Sequence, residues 1–147
     1  MASRGWLMDI LDLPGFVAEE DGAWLGYAAY DLRDGQMEMA VLESTAPSGG
    51  VAGGLVAACV SAATAGGADR LWLVTTNHNT AALRWYQRRG FVLAALHRDA
   101  VSEARRTIKR EIPQRGNDDI PIRDELELEL PRADWQDFVE RHAWPRS

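Results

Sequence analysis

Residues 46–91 read APSGGVAGGLVAACVSAATAGGADRLWLVTTNHNTAALRWYQRRGF, and the reading of this stretch decides the fold. It opens on a glycine-rich turn, Pro47 to Gly54. The apolar residues that follow, Leu55, Val56, Cys59, Val60 and Ala63, recur at the three-and-four spacing of one helix face. Gly66-Gly67 ends that helix, because glycine takes the left-handed conformation without a Cβ penalty. Leu71 to Thr76 is a short apolar run rich in aromatic and β-branched residues, as expected of a strand covered on both faces. Asn79 then caps a second helix carrying Ala82, Leu83 and Tyr86 on one side, and Gly90 closes it before Phe91-Val92-Leu93 returns as a strand.

A glycine turn that enters a helix offers backbone N–H groups and the positive end of the helix dipole to an anion. Small residues there let a phosphate approach. The same glycines, Gly50, Gly53 and Gly54, also serve tight packing of helix on sheet, and the glycines alone do not choose between the two. Two phosphate motifs are excluded. No Gly-Lys-Ser/Thr follows the turn, and there is no Gly-x-Gly-x-x-Gly with the acidic residue of a dinucleotide fold.

Working outward toward the N-terminus, Asp34-Gly35 and Asp21-Gly22 are two-residue hairpin signals. They predict three consecutive antiparallel strands, Phe16–Glu20, Ala23–Tyr30 and Gln36–Leu42. In the last, Met37, Met39 and Val41 alternate with Glu38, Ala40 and Leu42. Residues 1–13 read as a short helical or irregular lead with Trp6, Leu7, Ile10 and Leu11 on one side. Toward the C-terminus, Asp99 to Ile112 reads as a helix carrying a dense basic segment, Arg105, Arg106, Lys109 and Arg110. That segment is either a solvated face or a flap near an anionic ligand. Leu126, Leu128 and Leu130 alternate with Glu125, Glu127 and Glu129, which predicts a last strand with an acidic outer face. A final helix over Trp135, Phe138, Val139 and His142 is capped near Asp134.

With 147 residues, 46% of them apolar, the chain reads as one domain with its own core. A formal charge of −6 speaks against a nucleic-acid surface, which needs a basic stripe. The one cysteine, Cys59, falls on an apolar helix face, which excludes a disulfide framework and leaves a zinc cluster unsupported. No segment reads as a signal peptide or reaches membrane-spanning length, so a cytoplasmic setting is expected.

Gly50-x-Ala52 followed by Leu55-Val56 resembles the turn and helix of the GNAT superfamily of acyl-CoA-dependent N-acetyltransferases. Asn79-x-x-Ala82-Leu83-x-x-Tyr86-x-x-x-Gly90-Phe91 is similar to that superfamily's second motif. The likeness covers roughly residues 13–130, and Thr75–Asn79 with Ile120–Leu128 look like one uncharacterised bacterial branch. The resemblance implies a single α/β domain with a mixed, mostly antiparallel sheet whose strands ending near Leu42 and Thr76 splay apart. It implies acetyl-CoA as co-substrate, with no metal, held by Val41, Leu42, Gly49, Gly50, Val51, Ala52, Gly53, Gly54, Asn79, Ala82 and Tyr86. The family's first strand and helices have no counterpart ahead of the hairpin. Truncation, an open pocket or a homodimer completing the acceptor cleft would each account for that. Pro47 stands where the family usually has Gln or Arg, so pyrophosphate binding would rest on backbone N–H groups alone.

The implied reaction is attack of a neutral amine on the thioester, with a thiolate leaving. Tyr86 matches the tyrosine that protonates the sulfur. An oxyanion would be met by a backbone N–H near Leu42. Glu38 and Glu43 are the candidates to take the ammonium proton, and by strand parity they lie on opposite faces if the strand is regular. His78 is a further candidate, whereas His97 and His142 show no companion in the sequence. The expected function is acetyl transfer to a primary amine acceptor. The alternatives are an acyl-CoA-binding module with little catalysis and a structural protein that has lost the cofactor.

Overall fold

The computed structural model describes residues 2–3, 6–7, 12–45 and 49–145. Its strands are β1 (Ala2–Ser3), β2 (Trp6–Leu7), β3 (Gly15–Glu20), β4 (Ala23–Arg33), β5 (Gln36–Ser44), β6 (Arg70–Thr76), β7 (Val92–His97) and β8 (Glu125–Glu129). Its helices are α1 (Val51–Ala65), α2 (Thr80–Arg88), α3 (Ala100–Thr107) and α4 (Trp135–His142). Strand pairing orders six strands β3-β4-β5-β6-β8-β7, a mixed, mostly antiparallel sheet as expected. The chain divides into two compact units, residues 10–72 with 130–147, and residues 1–9 with 73–129. The lead expected to be helical or irregular is, where it is described, two short antiparallel strands, Ala2–Ser3 paired with Trp6–Leu7. Ile10 and Leu11 lie outside the described residues.

In the first unit the two hairpins turn on Asp21-Gly22 (φ 52° and 79°) and Asp34-Gly35 (φ 54° and 75°). Positive φ at both central residues is the turn whose twist matches the strands it joins, which is why Asp-Gly signals it. The β4–β5 register pairs Ala29 with Val41 but Tyr30 with Met39. Ala40 is therefore an extra residue on β5, a bulge. Cross-strand partners share a sheet face, so Met37, Met39 and Leu42, opposite Leu32, Tyr30 and Ala28, lie on one face. Val41 moves to the other, against the expected alternation. The parallel ladder to β6 consists of Gln36–Arg70, Met37–Leu71 and Glu38–Trp72, while β5 runs on to Ser44 and β6 to Thr76.

Helix α1 covers the face that carries Gly26 and Leu32. A Cβ at Gly26 would lie 3.2 Å from Leu55 Cδ1, and one at Gly66 would meet Leu32 Cδ2. Val51, Leu55, Val56, Ala57, Cys59, Val60 and Ala63 are all buried, so α1 is apolar nearly all round. A helix of that kind needs cover on two sides. The sheet gives one, and α4 gives the other through buried Trp135 and Phe138. Trp135 Nε1 donates to Leu130 O at 2.9 Å, which anchors the start of α4. Asp134 occupies the N-cap position, as expected, without a side-chain capping bond. Burial pushes the Cys59 thiol up to about 12, so it packs as an inert apolar group.

In the second unit, Asn77 ties residues 75–79 to residues 120–128. Its Nδ2 donates to Pro121 O at 2.8 Å, and its Oδ1 accepts from Arg123 N at 3.0 Å and Asp124 N at 2.9 Å. Removing the amide leaves three backbone groups unpaired at about 1 kcal/mol each net. Asn77→Ala is therefore expected to lower stability by about 2–3 kcal/mol, read as a lower urea midpoint at unchanged slope. An unshifted midpoint would mean that water replaces the clamp.

Asp124 is buried and receives the Arg123 guanidinium at 2.9 Å through both Nε and an amino nitrogen, plus Asp99 N at 2.8 Å. The hydrogen bond from Arg123 outweighs burial and holds this carboxyl below the usual range. A depressed folded value means the unfolded chain binds the proton first. The contribution is thus complete above the ordinary carboxylate value of about 3.9 and is lost as pH falls further. Urea midpoints taken from pH 6 down to about pH 3 should show a flatter acid limb for Asp124→Asn than for the native chain. Parallel limbs would contradict the assignment.

Two other expectations are corrected in this unit. Helix α3 ends at Thr107, not Ile112. Arg105 turns inward, donating to Ile112 O, Pro113 O and Ile122 O at 2.7–2.9 Å, so the chain after the helix folds back around its guanidinium. The acidic face of β8 is not an outer one, since Glu125 and Glu127 are 7% and 6% exposed. The alternation itself holds. Val92, Ala95 and His97 of β7 face Glu129, Glu127 and Glu125, and His97 Nε2 meets Glu127 Oε1 at 3.0 Å. Leu93 and Leu96, opposite Leu128 and Leu126, are 53% and 60% exposed instead.

Candidate active site

The turn before α1 is built from two left-handed glycines. Gly49 has φ 95° and Gly50 has φ 81°, a region L side chains avoid at a cost of about 1–2 kcal/mol. Pro47 and Ser48 lie outside the described residues. Gly50 is the N-cap residue and makes no side-chain cap; Gly54 N returns to Gly50 O at 2.9 Å. The N–H groups of Val51, Ala52 and Gly53 precede the first intrahelical bond and have no carbonyl four residues back within the helix. The first turn carries no acidic residue. Donors and dipole therefore point outward with no carboxylate of the turn to neutralise them.

Gly53 and Gly54 answer to a different need. A Cβ at Gly53 would lie 3.1 Å from His142 Nδ1, and one at Gly54 would lie 2.4 Å from Trp144 Cβ. The C-terminal segment sits against the flank of this helix turn. Nothing in the local sequence announces it, because the contact joins residues some ninety positions apart. At Gly49, by contrast, a Cβ would meet nothing within 4 Å.

Val41 and Leu42, both half-buried, directly follow the bulge and lie on opposite faces of β5. The bulge also overturns the parity expected for the two glutamates. Glu38 pairs with Asp31 and Glu43 with Tyr27, and these partners are four residues apart on β4. Glu38 and Glu43 therefore share one sheet face, the one turned away from α1. Glu38 is half-buried and Glu43 exposed.

In the second unit, Asn79 caps α2 as expected, its Oδ1 accepting from Ala82 N at 3.1 Å. That bond commits both groups to the helix start. Tyr86 is half-buried between two rings, Trp85 at 5.1 Å and 85° and Phe91 at 5.1 Å and 64°. Edge-to-face contacts of this kind fix the orientation of a ring. His78 Nδ1 lies 2.7 Å from Thr76 Oγ1, and its ring fills the place where Gly116 would carry a side chain. His97 has the companion that the sequence does not reveal, Glu127. Among the described residues no group of three or more His, Cys, Asp or Glu is placed to hold a metal ion, and no helix is long and apolar enough to cross a membrane.

A family model described as the acetyltransferase (GNAT) family matches residues 4–91. The uncharacterised Bacillus subtilis protein YdhI is 35% identical over 116 residues, 78% of this chain and 72% of that protein. A second uncharacterised protein of the same organism, YxbD, is 34% identical over 118 residues, 80% of this chain and 74% of that one. Among solved structures, a Bacillus subtilis acetyltransferase in complex with CoA has a TM-score of 0.67 at 21% identity, covering 78% of this chain and 74% of that one. A GNAT family acetyltransferase from Elizabethkingia anophelis with acetyl-CoA bound has a TM-score of 0.65 at 18% identity, with 78% and 73% covered.

Proposed function

This chain belongs to the acetyltransferase (GNAT) family, and we propose that it transfers the acetyl group of acetyl-CoA to a primary amine by direct attack on the thioester. The observation that carries the reading is the left-handed Gly49-Gly50 turn, which opens onto a helix start without acid or side-chain cap. The groups present there fit an anionic cofactor. The N–H groups of Val51, Ala52 and Gly53 would hold its pyrophosphate, and when bound it supplies an activated acetyl thioester.

The chain's own residues then divide three tasks. A backbone N–H near Leu42, on the stretch of β5 beyond its ladder with β6, would meet the oxyanion. Tyr86 gives its proton to the departing sulfur as the carbon–sulfur bond breaks. With reference values of about 10 for tyrosine and about 8.5 for a thiol, that transfer is modestly uphill. Loss of a proton from the attacking nitrogen offsets it. Glu38 or Glu43, now on a common face, accepts that proton directly or through water. Asn79 and Ala82 support the reaction by starting the helix that carries Tyr86.

The proposed setting is the cytoplasm, and a homodimer completing the acceptor cleft remains part of the proposal. The test is release of free thiol from acetyl-CoA across a panel of small amines, amino acids, aminoglycosides and peptides with free N-termini. Amine-dependent thiol release with a matching acetylated product supports the reading. Tight cofactor binding with no amine-dependent release from any class would leave an acyl-CoA-binding module instead.

A further inference from the structure

We infer that the acceptor is a linear amine carrying two or more positive charges, and that it lies on the face of β3, β4 and β5 turned away from α1, along the stripe Glu19, Trp24, Tyr27 and Glu43. The inference rests on the amine-acetyltransferase reading and names its substrate class.

The stripe follows from the register of the strands. Val17, Tyr27 and Glu43 are cross-strand partners in one row, and Glu19 stands opposite Trp24. Partners share a face, and the pair between these two rows, Ala18 with Gly26, belongs to the face covered by α1. Leu25 is an extra residue on β4, a bulge, so Trp24 and Tyr27 both stay on the open face. Their rings lie 6.3 Å apart at 48°. An acid, two rings and an acid therefore succeed one another diagonally across three strands. With strands about 4.8 Å apart and a rise of about 3.3 Å per residue, the Cα atoms of Glu19 and Glu43 stand about 12 Å apart.

Val17 and Trp24 on this face are 59% and 45% exposed, and apolar groups rimmed by charge mark an interaction surface. The charges say what kind of partner fits. Among the described residues neither the Glu19 nor the Glu43 carboxylate has an ion pair or hydrogen bond, whereas Asp31 on the same face is matched by Arg33 at 2.7 Å. An apolar partner would bury two unmatched carboxylates, which is costly. A linear polyamine leaves neither alone. Its end groups meet the carboxylates, and its middle passes over the rings, whose faces attract a cation. The formal charge of −6 draws such a ligand to the chain.

The two ends of the stripe differ in role. Glu43 follows Val41 and Leu42, on the stretch of β5 beyond its ladder with β6. The nitrogen seated there attacks the thioester and passes its proton to Glu43. Glu19 lies on β3, the edge strand, and holds the distal ammonium without touching the reacting atoms. It is a specificity residue.

The test compares norspermidine, a linear triamine, with propylamine, its single-charge fragment, reading both acetylated product and calorimetric binding in the presence of CoA. The native chain should favour norspermidine by about tenfold in kcat/KM. Glu19→Gln should raise KM for norspermidine about two- to fivefold, the size of an exposed ion pair, and leave kcat and all propylamine constants unchanged. Trp24→Ala should raise that KM about three- to tenfold, and Trp24→Phe, which keeps a ring, should recover most of the loss. Equal kcat/KM for the two amines, or equal losses for both in Glu19→Gln, would overturn the inference and leave acetyl transfer standing. Norspermidine binding that depends on Glu19, with no product from either amine, would keep the surface and remove the acetyltransferase reading. Neither binding nor product, on a chain that binds CoA, would overturn the inference.

Discussion

Gly50→Glu combined with Ala52→Glu is expected to abolish saturable binding of acetyl-CoA, a loss of at least about a hundredfold. Two carboxylates would then face a pyrophosphate across the N–H groups of Val51 and Gly53, and like charges so placed cost several kcal/mol. A second cost is conformational. Gly50 sits at φ 81°, where any other residue is strained by about 1–2 kcal/mol. Acidic residues in a first helical turn stabilise the helix by several tenths of a kcal/mol, which offsets part of that strain and keeps the chain folded. Circular dichroism and calorimetry on the same samples separate the two effects. Native spectra with lost binding support the anion site; native spectra with retained affinity would place the cofactor elsewhere.

Tyr86→Phe should lower kcat for acetyl transfer by about a hundredfold while leaving KM for acetyl-CoA close to native. The ring contacts with Trp85 and Phe91 need only the aromatic body, so phenylalanine preserves the packing of α2 and removes the hydroxyl alone. A general acid that protonates the leaving sulfur acts in the transition state and not in cofactor binding, hence a fall in kcat with KM unmoved. Full turnover in Tyr86→Phe would remove Tyr86 from the mechanism. A raised KM at unchanged kcat would assign it to cofactor binding only.

What the sequence carried openly is what local chemistry decides. Asp21-Gly22 and Asp34-Gly35 specify their hairpins because the left-handed turn is a property of those residues alone. The same holds for Asn79, whose cap reaches only three residues ahead. The bulge at Ala40 has no such mark. It shows only in the pairing of β5 with β4, and one inserted residue reverses the parity of everything after it, which puts Glu38 and Glu43 on one face. Burial of Glu125 and Glu127 was likewise unreadable, since alternation tells which residues share a face but not which face meets solvent. The partner of Glu127, His97, lies thirty residues away in the chain. The glycines of α1 were ambiguous between ligand approach and close packing for the same reason. At Gly53 and Gly54 close packing is what the structure shows, against His142 and Trp144 and not against the sheet, while ligand approach at Gly50 belongs to the proposed function.

The most direct test of the acyl-CoA reading is a calorimetric titration of the native chain with acetyl-CoA and, in parallel, with free CoA. Saturable binding to one site per chain by both ligands is the predicted result, with a dissociation constant well below about 1 mM. No heat of binding up to about 1 mM of either ligand, on protein shown to be folded, would mean a fold kept without its cofactor, and would contradict the assignment of an acetyltransferase.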